Sequence, residues 1–136
     1  MREIKKPPPH SQYGVSDIGC SGLGIGTTPA ALVAHGIDTT VVEIDPVVHE
    51  FAMQYFQLPS NHTGMIEDAV GYARRTANDT SGKRFDYIVH DVFTGGAEPV
   101  DLFTLEFLQD LSTLLNPGGV IAIVSTASLD LDEYGN

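Results

Sequence analysis

The 136-residue chain has a single cysteine, Cys20, so no disulfide can close within it. Basic residues are scarce: Lys and Arg number 7 against 18 Asp and Glu, a formal net charge of −11. A surface this acidic repels phosphate backbones, which argues against a nucleic-acid partner. It favours cationic small molecules or basic protein segments, or else serves solubility alone. No apolar run is long enough to span a bilayer. The stretch Met1 to Pro9 carries charges but lacks the apolar h-region of a secretory signal. The expected setting is therefore cytoplasmic, with no membrane partner.

With 42% hydrophobic and 18% charged residues, the composition is that of a globular protein, and the length suits one core. Residues 1–14 hold three consecutive prolines and read as a flexible lead-in. Residues 15–128 read as the folded core, and 129–136 as an acidic tail. Within the core, short β-type runs alternate with amphipathic ones. "TPAALVAH" (Thr28 to His35) is helical, with Gly36 ending it, and "TTVVE" (Thr39 to Glu43) is a strand. Pro46 to Phe56 has helical spacing and opens on a proline. Gly64 to Ile66 is a weak strand, Asp68 to Ala77 a helix and Phe85 to His90 a strand. A helix over Leu102 to Leu115, capped by Asp101, buries a leucine stripe at 105, 108, 111, 114 and 115. Asn116-Pro117-Gly118-Gly119 stops it, and Val120 to Val124 is an apolar strand suited to a parallel sheet. This alternation predicts an α/β fold with a doubly wound, mostly parallel sheet. Such folds bind ligands beyond the carboxyl ends of the strands.

The residues after each strand are therefore the candidates. After the first comes "DIGCSGLGIG" (Asp17 to Gly26), which offers two registers for a glycine turn. Placing the turn at Gly22, Gly24 and Gly26 puts Glu43 close to the ~20-residue interval at which an acidic group meets ribose hydroxyls. Asp17 to Cys20 then falls on a strand poor in β-branched residues. In this register Gly24→Val damages ligand binding, while Gly19→Val does little or firms up the strand. Glu43 ends the second strand, and Asp45 is explained by capping the helix that Pro46 opens. Asp68 either caps a helix or accepts from an adenine amino group. Asp91 is a general base, a partner for a substrate amine, or a structural carboxylate. His90 ends an apolar strand and reads as a structural histidine. No metal-ligating set is expected.

In order and spacing, "GLGIGTTP", "VVEIDPVV", "IEDAV", "FDYIVHDVF" and "LNPGGVIAI" resemble the motifs of the spermidine/spermine synthase-like family. That family lies in the class I S-adenosylmethionine-dependent methyltransferase superfamily. The resemblance implies a Rossmann-like core binding S-adenosylmethionine or decarboxylated S-adenosylmethionine, and transfer of a methyl or aminopropyl group to an amine or other nucleophile. It implies that Gly22, Gly24 and Gly26 line the amino-acid and ribose portion, Glu43 holds the ribose, Asp68 and Ala69 meet the adenine, and Asp91 is catalytic. The family's second aspartate, three residues after the first, is replaced here by Thr94. That departure argues against a complete polyamine synthase. The resemblance also implies an incomplete core, lacking the last two strands, whose exposed edge is covered by a second copy of the chain or another partner. A non-catalytic binding module and an NAD-linked oxidoreductase are the competing readings.

Overall fold

The computed structural model describes residues 17–24, 26–92 and 99–124. The predicted lead-in 1–14 and tail 129–136 lie outside the described residues, as does Thr94. Five strands form one sheet: β1 (Asp17–Ser21), β2 (Asp38–Glu43), β3 (Thr63–Ile66), β4 (Phe85–Asp91) and β5 (Leu115–Val124). Their spatial order is β3-β2-β1-β4-β5, and every pairing is parallel. Helices α1 (Thr27–Ala34), α2 (Pro46–Tyr55), α3 (Ala69–Asn78) and α4 (Leu105–Thr113) make the crossovers, with a short 3-10 turn over Val100–Phe103 before α4. The doubly wound α/β fold is the one the sequence predicts.

Side-chain alternation along the strands divides the core between the two faces. Val41 joins Leu23, Ala52 and Leu58 on the face that Ala30, Leu32 and Val48 cover. Its neighbour Val42 points the other way, into a cluster with Tyr72, Ala73, Phe85, Ile88, Phe107, Leu111 and Leu114 beneath α3 and α4. On β4, Phe85 and Ile88 share a face although three positions separate them.

Two predicted boundaries move by three residues or more. The last helix starts at Leu105, and its cap is Thr104, whose Oγ1 accepts from the Phe107 N–H at 3.3 Å. Asp101 sits inside the 3-10 turn and caps nothing in α4. Leu105 is consequently two-thirds exposed, and Phe107 takes the buried place expected of it. β5 begins at Leu115, because Leu115 pairs with Phe85 and the 116–119 stretch bulges before Val120 pairs with Tyr87. Among the described residues β5 is an edge strand, and Val120, Ile123 and Val124 are each about half exposed.

Candidate functional site

β1 ends at Ser21, and the chain turns through Gly22 and Gly24, both with positive φ (83° and 54°). Gly22 is the constrained one. A Cβ there would collide with the backbone carbonyl oxygen of Asp91, so only glycine lets the end of β1 lie against the end of β4. A Cβ on Gly24 would meet open space, so its constraint is φ alone. Gly26, the third predicted ligand-binding glycine, does not line the cleft. It is the N-cap of α1 with φ 83°, and a Cβ on it would point at Ala52, Leu23 and Leu58. Its place is in the packing beneath the turn.

The glycine turn and the ends of β2, β3 and β4 enclose a cleft of about 620 Å³. Gly22, Gly24, Glu43, Asp68, Ala69 and Asp91 all line it, so the fold brings six of the seven predicted site residues together. Glu43 is the most tightly held. It is 9% exposed, its Oε2 accepts the Leu23 N–H at 2.9 Å, and its Oε1 accepts the Asp45 N–H at 3.0 Å. A carboxylate has about four lone-pair sites, so each oxygen keeps one for a further donor. These two amides offset the cost of burying the charge. Asp45 also caps α2 through the Val47 N–H at 2.8 Å, with Pro46 at the first helical position, as its sequence context predicts.

Asp68 caps α3 by accepting the Gly71 N–H through Oδ2 at 3.0 Å. Its second oxygen is not used by the cap, so the two roles open to it in the sequence are compatible. Ala69 follows as the first residue of α3 and packs against the core. Asp91 is exposed at the carboxyl end of β4. His90, one residue earlier, is fully buried, with Nε2 3.0 Å from the Leu102 carbonyl oxygen. Burial pushes its pKa below the usual imidazole value, against a smaller opposing pull from its bond to Leu102 and from Asp91.

Sequence reasoning missed the far wall of the cleft, formed by Pro99, Asp101 and Leu102. Asp101 and Leu102 read as a helix start because the stripe of leucines runs through them. The signal that could have corrected this is Thr104 standing three residues before Phe107, a better cap for the run that follows. Among the described residues, the ionisable lining side chains are Glu43, Glu67, Asp68, Asp91 and Asp101, with no Lys, Arg or His. Such a lining favours a cationic ligand bearing hydroxyl or amino donors.

A glycine turn, a buried acidic group ending the next strand and a cleft at the carboxyl edge of a parallel sheet define the nucleoside-binding class of doubly wound proteins. Within that class, the Spermine/spermidine synthase domain family matches residues 18–134, and the chain belongs to it. The N-terminal histidine N-methyltransferase of Emericella nidulans is 63% identical over 110 residues, which is 81% of this chain and 20% of that protein. The polyamine aminopropyltransferase of Vibrio vulnificus is 36% identical over 117 residues, 83% of this chain and 38% of that protein. The chain thus spans well under half the length of these relatives. Among solved structures, human Methyltransferase-like protein 13 in complex with SAH superimposes with a TM-score of 0.71 at 26% identity, over 79% of this chain and 53% of that one.

Proposed function

We propose that the cleft binds S-adenosylmethionine and that the protein transfers its methyl group to a nitrogen atom of an N-terminal histidine. The observation that carries the binding half is Glu43, a buried carboxylate that lines the cleft and is fixed by two backbone amides. Two adjacent ribose hydroxyls need such a bidentate acceptor. The acidic lining suits a ligand with a sulfonium and an ammonium group. The methyl-transfer half rests on the 63% identity to the Emericella nidulans enzyme.

In this reading Gly22 and Gly24 bring the backbone close to the ligand's amino-acid and ribose portion, and Gly26 shapes the turn from below. Asp68 accepts from the adenine amino group with the oxygen its cap leaves over, and Ala69 lies against the ring. When bound, the ligand supplies an activated methyl carbon to the attacking nitrogen. Asp91 stands at the end of β4, where its carboxylate takes the proton that the nitrogen gives up and offsets the positive charge formed there. A second reading is aminopropyl transfer from decarboxylated S-adenosylmethionine. Two observations favour it: the 36% identity to the Vibrio vulnificus enzyme, and a lining that, among the described residues, holds no basic side chain to pair with a ligand carboxylate.

Titration calorimetry with S-adenosylmethionine, S-adenosylhomocysteine and decarboxylated S-adenosylmethionine tests the binding. Glu43→Gln should weaken the preferred ligand by roughly 10- to 100-fold, the equivalent of losing a hydrogen bond to a charged group. Methyl transfer to a peptide that begins with histidine, measured against polyamine substrates, separates the two readings. Absence of binding by the unmodified chain at millimolar concentrations of all three ligands refutes both.

A further inference from the structure

His90 occupies a position where an apolar residue would be expected. It is fully buried in β4, and the rings of Phe103 and Phe107 each lie 5.3 Å from its own. The Leu102 carbonyl can only accept, so Nε2 carries the proton. Nδ1 is then a bare acceptor, and it is buried with no hydrogen-bond partner among the described residues. A leucine would fill this space without leaving an unsatisfied nitrogen, so packing alone does not account for an imidazole here. Among the described residues, the one side-chain hydrogen bond His90 makes is with the 3-10 turn that forms the far wall of the cleft.

That wall stands at a definite end of the site. Leu102 packs against the same core cluster as Ala69 and Val70, and all three line the cleft. The turn therefore faces the start of α3, where Asp68 and Ala69 meet the base in the proposed function. His90 does not itself line the cleft. It acts through the backbone of Leu102.

We propose that His90 is a positioning residue for nucleobase binding: its Nε2–H holds the Leu102 carbonyl and so sets the gap between Leu102 and Ala69 into which the base fits. This inference rests on the proposed nucleoside ligand. It predicts that a side chain retaining a donor at the Nε2 position preserves affinity, whatever it does to stability.

Three variants separate positioning from packing. Glutamine places its amide nitrogen as many bonds from Cβ as Nε2. Asparagine places it where Nδ1 stands, too short to reach Leu102. Leucine keeps the volume and has no donor. Calorimetry with S-adenosylhomocysteine on the full chain, with Tm measured alongside, should give a roughly tenfold or greater loss for His90→Leu and His90→Asn. His90→Gln should stay within about threefold of the unmodified chain, and His90→Leu should be weak in binding while at least as stable thermally. Tight binding by His90→Leu, or binding by His90→Gln as weak as that of His90→Leu, overturns this inference and leaves the proposed function standing. Failure of the unmodified chain to bind any of S-adenosylmethionine, S-adenosylhomocysteine and decarboxylated S-adenosylmethionine overturns both.

Discussion

Gly19 is a buried glycine in the middle of β1, paired with Thr40 on one side and Ile88 on the other. A Cβ built on it lies 3.5 Å from three atoms of the Phe85 ring, an ordinary contact distance. It would enter a small, half-open apolar space lined by Val42, Tyr72, Phe85 and Ile88 among others. Gly19→Ala should therefore stabilise the fold. Restricting the unfolded chain contributes about 0.4–1 kcal/mol, and burying one methyl-sized group contributes about 0.8 kcal/mol. The sum is about 1–2 kcal/mol, a rise in Tm of roughly 4–8 °C for a chain of this size. Valine differs from alanine here. Its two γ-carbons extend from a Cβ already in contact with the Phe85 ring and press on it, so Gly19→Val should cost about 1–3 kcal/mol, contrary to what strand propensity suggests. Gly22→Ala, which drives a methyl into the Asp91 carbonyl, should be worse than either, by 2 kcal/mol or more in order of magnitude. Urea unfolding followed by circular dichroism gives the three values directly. If Gly19→Ala unfolds at lower urea than the unmodified chain, the packing of Phe85 against β1 is wrong as described.

The remaining predictions concern pH and one strained residue. His49 and His90 both have pKa values held below the usual 6.5, chiefly by burial. His49 also has His62 against it, Nε2 to Nε2 at 2.9 Å, with Glu43 pulling weakly the other way. The unfolded chain takes up protons at these positions before the folded one does. Their contribution to stability is therefore complete above pH 6.5 and declines as the pH falls through 6.5 toward the depressed values. Tm measured from pH 7.5 to 5.5 should fall, and His90→Gln should flatten the curve; an unchanged slope in that variant would count against a buried neutral His90. Gln57 follows α2 with φ 58°, in the left-handed region that costs a non-glycine residue about 1–2 kcal/mol. Gln57→Gly should stabilise the chain by roughly 0.5–1 kcal/mol once the added flexibility of glycine is deducted. Thermal unfolding that shows a loss instead would mean that the glutamine side chain contributes contacts that glycine lacks.

The sequence by itself determined the order and type of nearly all the elements. Hydrophobic periodicity and local capping chemistry are properties of a few consecutive residues. Thr39 to Val42 is β-branched, Asp45-Pro46 is a helix start, and Gly36 is a helix stop wherever the chain goes next. It also located six of the cleft residues, because in a parallel sheet the ends of successive strands meet at one edge. Tertiary structure decided what depends on partners distant in sequence. Gly22 must be glycine because of Asp91, 69 positions away, and Gly26 faces Ala52 and Leu58 and so is withheld from the cleft. In the sequence Leu102 reads as the start of a leucine-striped helix that Asp101 caps, whereas the Thr104 cap and the His90 bond to Leu102 make them a cleft wall. His90 reads in the sequence as one more buried side chain in an apolar strand. Only the carbonyl oxygen that the fold sets 3.0 Å from its Nε2 gives that imidazole a direction in which to act.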